Sequence, residues 1–150
     1  MTEKRTYRHI SLVEMLMIVS LIAVVISLAI VFFDPIGRSS VSRNAERWNH
    51  VNAIASALYE YANTHEGKLP PEINEQPKEI CAQAPDLGPC VSAGGIDLSV
   101  LSPDYLSAIP VDKMSENDLK SGYTVQLLPP GRLYVVAKYA EGGDAISISR

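Results

Sequence analysis

The chain is 150 residues long, carries a formal net charge of −4 and contains two cysteines. This length allows one small folded domain once an apolar segment near the N-terminus is set aside. The charge is uneven, because residues 1–9 are net basic and residues 34–150 are net acidic. An acidic domain argues against sequence-independent nucleic-acid binding, so we expect no strong nucleic-acid signal.

Residues 10–33 form an almost uninterrupted apolar run, "ISLVEMLMIVSLIAVVISLAIVFF". As a helix this run would extend about 36 Å, which crosses a hydrocarbon core of about 30 Å with some tilt. The basic segment 1–9 predicts a cytoplasmic N-terminus with the remaining chain outside. No small-residue cleavage site follows the run, so we expect the helix to be retained as a single membrane span.

Glu14 places a carboxylate near the start of this apolar run. A charge at the middle of a bilayer costs about 2.5–3.5 kcal/mol on insertion scales, and less near the interface. One interpretation is that the side chain reaches water at the cytoplasmic surface. The other is that it meets a cationic partner within the membrane.

Residues 34–66 are predicted to form an amphipathic continuation of the helix, because apolar residues recur at spacings of three and four. Pro35 at the junction would kink one helix or start a second. Gly67, with Pro70 and Pro71 soon after, supplies a stop signal. The predicted apolar stripe contains Val41, Ala45, Trp48, Val51, Ile54, Ala55, Leu58 and Ala62, and Arg43, Glu46, Arg47, Asn49 and Glu60 fall largely off it.

Residues 67–121 are predicted to be an irregular loop region that contains both cysteines. Pro and Gly interrupt this segment throughout, which disfavours regular elements. Residues 97–101 or 102–106 could form a short helical turn.

Residues 122–150 are predicted to form an antiparallel β-sheet. Residues 122–128 and 132–139 flank the turn sequence "PPG" and predict a hairpin, and the alternating "AISIS" of residues 145–149 predicts a third strand. The expected fold class is α+β, with a long N-terminal helix packed on a small antiparallel sheet.

The N-terminal "ISLVEML", followed by an apolar helix, resembles the start of a type IV pilin or type II secretion pseudopilin. In that family a short basic leader precedes a cleavage site, and a glutamate is fifth in the mature chain. Ile10 would be the first mature residue and Glu14 the fifth. The leader would end at His9, where leaders of the family usually end in Gly. "RNAERWNHVNAIASALYEYANTHEGKLPP" is similar to the outer half of the pilin helix, and "YLSAIPVD" looks like the entry to the pilin sheet.

The resemblance implies processing and assembly. A prepilin peptidase would cleave between His9 and Ile10, and Ile10 would then be N-methylated. When subunits pack side by side, a neighbour's Ile10 ammonium could meet the Glu14 carboxylate in a water-poor place and set the register. The implied partners are other copies of the chain, related pilins, the peptidase and an assembly platform in the inner membrane. The implied location is the inner, cytoplasmic membrane, and a surface or periplasmic filament after assembly.

Cys81 and Cys90 lie in one loop of the segment expected outside the cytoplasm. Two cysteines in such a place predict a disulfide, with two free thiols as the alternative. A structural zinc is not favoured, because no Cys/His pair nearby would complete a tetrahedral site.

One acidic loop is a weak calcium candidate through Asp112, Glu116, Asn117 and Asp118. Some secretion pseudopilins bind calcium near their C-terminal ends, but this spacing does not match an EF-hand. A solvated acidic loop is the alternative, and no other metal or cofactor is expected.

The sequence contains no nucleophile elbow, paired-acid site or phosphate loop, so we predict a protein that is not an enzyme. The leading hypothesis is a structural subunit of a type IV pilus-like or pseudopilus filament, assembled through its N-terminal helix after leader cleavage. Pilus, secretion and DNA-uptake systems all remain open. The alternative is a non-polymerising, membrane-anchored binding domain with an uncleaved leader.

Overall fold

The structure is a computed structural model that describes residues 11–33, 35–83, 85–115 and 117–150, with the backbone alone for residues 30–33 and 35–38. The chain divides into two compact units between Ser39 and Ser40. The predicted leader, with His9 and Ile10, lies outside the described residues, and so does Glu116.

The first unit contains helix α1, Leu12–Phe33. The side chains of residues 11–28 are all exposed, and Leu12 and Leu21 are 76% and 66% exposed. The segment Leu12–Ala29 has a mean hydropathy of 2.7, and none of it is buried within the protein. The predicted apolar helix is therefore confirmed, and it is long and apolar enough to cross a membrane.

Helix α2 spans Pro35–Thr64. Proline suits the first helical position, because the amide there has no partner within the helix. At the other end Gly67 adopts a left-handed φ of +79° and its N–H donates to the carbonyl of Ala62 at 2.8 Å. This closing bond is that of a glycine C-cap, so the predicted stop at Gly67 is confirmed.

The second unit contains a four-stranded antiparallel sheet in the order β1-β2-β3-β4, and the strands are Lys78–Cys81, Lys120–Leu128, Arg132–Ala137 and Ser147–Ser149. The last three strands confirm the predicted hairpin and third strand. The first strand corrects the prediction of an irregular segment. It has only four residues, Lys-Glu-Ile-Cys, whose polar and apolar side chains do not alternate, and three of the four are buried. The same segment contains helix α3, Gly88–Ser92, and a 3₁₀ turn at Ser99–Leu101, within one of the two predicted places.

The core lies between the sheet and the inward face of α2. Val51, Ile54 and Leu58 are fully buried, and they belong to one cluster with Tyr123 and Val135. The C-terminal part of the predicted apolar stripe is therefore correct.

The N-terminal part of that stripe is wrong. Val41 and Trp48 are 69% and 42% exposed, whereas Arg47 is only 2% exposed and Asn44 is also buried. The helix turns these two polar side chains inward because the domain supplies hydrogen-bonding partners for them.

Gly122 allows a close approach between β2 and the segment around Asp112. Its φ is +83°, and a Cβ added there would lie 2.9 Å from the Cβ of Asp112 and 3.1 Å from the ring of Tyr139. Both the backbone conformation and the space therefore require glycine.

We expect Gly122→Ala to destabilise the second unit more than Gly67→Ala does. Both changes place Ala at a left-handed φ, which costs about 1–2 kcal/mol, but nothing lies within 4 Å of the Cβ added at Gly67. Crowding should therefore add about 1–3 kcal/mol at Gly122 alone. Urea unfolding of the chain in detergent micelles, followed by the fluorescence of its single tryptophan, measures the difference. Equal losses for the two variants would contradict the crowding.

Candidate functional site

A buried ion-pair cluster joins the N-terminal half of α2 to two segments of the domain that are distant in sequence. Arg47 donates from Nε to Asp112 Oδ2 at 2.5 Å and from Nη1 to Glu141 Oε2 at 2.7 Å. The side chains of Arg47 and Asp112 are each 2% exposed. A second bond, from Nη2 to Oδ1 at 3.2 Å, completes a fork between the guanidinium and the Asp112 carboxylate. We call the set Arg43, Asn44, Arg47, Asp112 and Glu141 the ion-pair cluster.

The outer part of the ion-pair cluster fixes the loop between β3 and β4. Arg43 donates to both carboxylate oxygens of Glu141 at 2.6 Å. The amide of Asn44 donates to the Glu141 carbonyl at 2.9 Å and to Asp144 Oδ2 at 2.8 Å, and its oxygen accepts the Glu141 N–H at 3.1 Å. The loop is thus bound through its backbone as well as its charges.

The two guanidinium groups change the ionisation of their partners. Hydrogen bonds from Arg43, and to a smaller extent from Arg47, lower the pKa of Glu141 to about 2. The bond to Asp112 is the main reason that the pKa of Arg47 is raised. Burial, followed by the charge of Asp112, raises the pKa of Tyr123, whose hydroxyl lies 2.7 Å from Nδ1 of His50. The ion pairs therefore favour the charged forms of Arg47 and Glu141, and burial favours the neutral form of Tyr123.

The ion-pair cluster leaves little space for a ligand. The polar cavity beside Arg47, His50 and Tyr123 has a volume of about 10 Å³. That is room for about one water molecule. The arrangement suits the joining of chain segments and offers no site for a substrate.

Sequence reasoning missed the ion-pair cluster because charged side chains are usually exposed. A signal was nevertheless present. Asn44 precedes Val51 and Ile54 by seven and ten residues, and Arg47 precedes them by four and seven, so all four share one face of the helix. Continuing the buried face of the helix from Val51 towards its N-terminus, regardless of side-chain polarity, would have identified Asn44 and Arg47 as buried positions.

Glu14 lies in the first turn of α1 with an exposed side chain. Met17, Ile18 and Leu21 line the same shallow groove on this helix. Residues 11–33 contain no Lys, Arg or His, so this helix supplies no cation to the carboxylate. A counter-ion for Glu14 must come from outside these residues.

The predicted disulfide between Cys81 and Cys90 is confirmed. The sulfur atoms are 1.96 Å apart, and the two residues are 2% and 1% exposed. The bond joins β1 to α3. Gly95 packs against it, since a Cβ there would lie 2.5 Å from one sulfur and 2.8 Å from the other.

The acidic loop places its polar groups in internal contacts. Asp112 is bound by Arg47 and by the backbone N–H of Met114, and Asn117 Oδ1 accepts the N–H of Leu119 at 2.8 Å. Asp118 is exposed. Among the residues described, no three His, Cys, Asp or Glu side chains form a group that could hold a metal. Calcium binding here stays a prediction.

Comparisons with known proteins assign no family to the chain. It matches no protein-family model, no curated protein and no solved structure. Its own residues and the resemblance of its sequence to pilins are therefore the basis for a functional proposal.

We expect Arg47→Met to destabilise the second unit by about 3–5 kcal/mol, because Asp112 would become a buried charge without a partner. The double variant Arg47→Met/Asp112→Leu should recover much of this loss, since both charges are then removed. Arg132→Met, at an exposed position, is the matched control. Tryptophan fluorescence during urea unfolding reports all three. A double variant as unstable as the single one would contradict a charge-pairing role.

We expect the stability of the second unit to fall as the pH drops from about 5 towards 2. The folded pKa of Glu141 lies below its ordinary value of 4.5, so its stabilising contribution is complete above that value and is lost as the folded carboxylate is protonated near 2. Glu141→Gln should be less stable than the parent at pH 7, and the difference should vanish near pH 2. Glu75→Gln, at an exposed position, should follow the parent throughout. Thermal unfolding across this pH range tests the expectation, and a constant difference for Glu141→Gln would refute it.

Proposed function

We propose that this chain is a membrane-anchored structural subunit of a pilus-like or pseudopilus filament, assembled through its N-terminal helix. The observation that carries the proposal is α1 itself: an apolar helix uncovered in its own unit, with one carboxylate in its first turn. The likeness of "ISLVEML" to the mature pilin N-terminus supports the same function.

The exposed surface of α1 needs an apolar environment. Leu12, Met15 and Leu21 are each at least 65% exposed, and every Å² of apolar surface left in water forgoes about 25 cal/mol. Lipid alone would satisfy these side chains. Neighbouring copies of α1 would satisfy them as well, and in addition could bring a cation to Glu14.

Glu14 is the residue whose chemistry favours assembly over simple anchoring. Cleavage after His9 would create an ammonium group at Ile10, and a neighbouring subunit could place that group beside the Glu14 carboxylate. Pairing there removes the cost of an uncompensated charge in a medium of low dielectric constant. Subunit register would follow from the pairing.

The second unit has the properties of a domain outside the cytoplasm. A buried disulfide persists in oxidising compartments, which agrees with the topology that the basic segment 1–9 predicts. In the proposed filament the apolar helices form the centre and these domains coat it. The chain supplies no catalytic chemistry in this arrangement.

One observation favours a second candidate function. His9 stands where pilin leaders usually end in Gly, and a peptidase that rejects it would leave the leader attached. The chain would then be a membrane-anchored binding domain that does not polymerise, and Glu14 would reach water at the interface.

We expect Glu14→Leu to insert into the membrane at least as well as the parent and yet to fail to enter filaments. Removing the carboxylate lowers the cost of insertion by at most about 3 kcal/mol, but leaves a neighbour's ammonium without its counter-ion. The amount of subunit in sheared or cross-linked fibres, normalised to its membrane level, measures incorporation.

Glu14→Asp is the matched variant, because it keeps the charge on a shorter side chain and should be partly incorporated. The intact mass of the protein from the same membranes reports whether it begins at Ile10. Equal incorporation of Glu14→Leu and the parent would disprove the proposed pairing, and full-length mass alone would favour the anchored binding domain.

A further inference from the structure

Arg47 has one more hydrogen-bond donor than the ion-pair cluster uses. A guanidinium group carries five N–H donors. Nε and Nη2 each donate one bond to Asp112, and Nη1 donates one bond to Asn44 and one to Glu141. The second N–H of Nη2 therefore has no hydrogen-bond partner among the residues that the structure describes. Arg47 is only 2% exposed, so this donor lies where an unmade hydrogen bond is costly.

The hydroxyl of Tyr123 also has unused hydrogen-bonding capacity. Tyr123 is fully buried, and within the described chain its hydroxyl has one partner, Nδ1 of His50 at 2.7 Å. A phenolic hydroxyl can donate one hydrogen bond and can also accept. If it donates to His50, its oxygen can still accept, and if it accepts from His50, its hydrogen still needs an acceptor. Whichever tautomer the imidazole adopts, one hydrogen-bonding position of Tyr123 remains for a second partner.

Both groups line the same small polar cavity. Arg47, His50 and Tyr123 belong to its wall, and its volume is about 10 Å³. A cavity of this size holds about one water molecule, and a buried water makes about two to four hydrogen bonds. The carboxylate of Glu46 in the same wall offers a further acceptor. The space and the polar partners that a bound water requires are thus both present.

The charges around the cavity favour a neutral ligand over an ion. The wall contains acidic and basic side chains together, namely Glu46, Asp112, Arg43, Arg47 and Lys113. An anion would meet the buried carboxylate of Asp112, and a cation would meet the buried guanidinium group of Arg47, so either ion would face a like charge. Water avoids both contacts, because it can accept from a guanidinium group and donate to an oxygen.

We propose that this cavity binds one water molecule that bridges Nη2 of Arg47 and the hydroxyl of Tyr123. The water accepts the fifth N–H of Arg47 and takes up the second hydrogen-bonding position of Tyr123. It thereby connects the His50–Tyr123 pair to the ion-pair cluster, so that α2 and β2 are joined by one continuous network of polar groups. The site lies wholly within the second unit, and it would be the same in a filament subunit and in an anchored binding domain.

The first test removes the hydroxyl after its imidazole partner has been replaced. Urea unfolding of the full chain in detergent micelles, followed by tryptophan fluorescence, gives the equilibrium constant for unfolding of His50→Leu and of His50→Leu/Tyr123→Phe. With the water in place the hydroxyl keeps one hydrogen bond in His50→Leu, so adding Tyr123→Phe should raise the unfolding constant about fivefold. Without the water the hydroxyl would be a buried polar group with no partner, and its removal should lower the constant. The two cases therefore differ in sign.

Tyr105→Phe is the matched control. Its hydroxyl contacts Thr64 at 2.7 Å and does not line the cavity. Adding Tyr105→Phe should change the unfolding constant by the same factor in the parent and in His50→Leu, since distant sites contribute independently.

A high-resolution crystal structure of the full chain locates the ligand directly and does not depend on any variant. A water should lie within about 3.2 Å of both Nη2 of Arg47 and the hydroxyl oxygen of Tyr123. Crystals soaked in bromide provide the test for an anion, because bromide is identified by its anomalous scattering. The proposal is overturned by a bromide peak in the cavity, by direct contact between Arg47 and Tyr123 that closes the cavity, or by an equal or lower unfolding constant when Tyr123→Phe is added to His50→Leu.

Discussion

The fold of the second unit depends on one buried guanidinium group. Arg47 lies on the inward face of α2, where its partners Asp112 and Glu141 come from segments 65 and 94 residues further along the chain. A lone charge in that position would be strongly destabilising, so the helix and both segments have to come together for any of them to be stable there. Apolar packing around Val51 and Leu58 supplies most of the driving force for folding, and the charges decide which segments contact the N-terminal half of α2.

The two units differ in whether they supply a partner of opposite charge to a charged side chain. Arg47 finds its carboxylates within the domain and is satisfied by the folded chain alone. Glu14, on α1, has no cation in its own helix, and the surface around it is apolar and exposed. Within the described residues, the buried charge of Arg47 is paired inside the second unit, whereas α1 offers no cation to the exposed Glu14. The proposed function follows from this difference, because assembly with another copy would supply what α1 lacks.

Periodicity in the sequence was enough to predict both helices, the hairpin and the last strand, since each is set by local spacing and by glycine or proline at its ends. Strand β1 was missed because its four residues, Lys-Glu-Ile-Cys, do not alternate between polar and apolar side chains, and because it is defined by pairing with β2, which is distant in sequence. The prediction placed Trp48 on the buried face and Arg47 off it, and the structure shows the reverse. The reason is related: hydropathy describes the side chain alone, whereas burial depends on partners that are distant in sequence. The disulfide was predictable from two cysteines in one outer loop. The ion-pair cluster was not predictable, since it arises only when the segments around Asp112 and Glu141 have folded beside α2.

The position of the ion-pair cluster along the chain has a mechanical consequence. In the proposed membrane-anchored subunit, a pull on α1 enters the second unit along the backbone at Ser40, close to the bonds of Arg43 and Asn44 with the segment around Glu141. Those bonds join the entry of the domain to a segment about a hundred residues later, so tension loads several charge-assisted hydrogen bonds before it reaches the apolar core. A domain joined in this way resists unfolding at the point where the force enters.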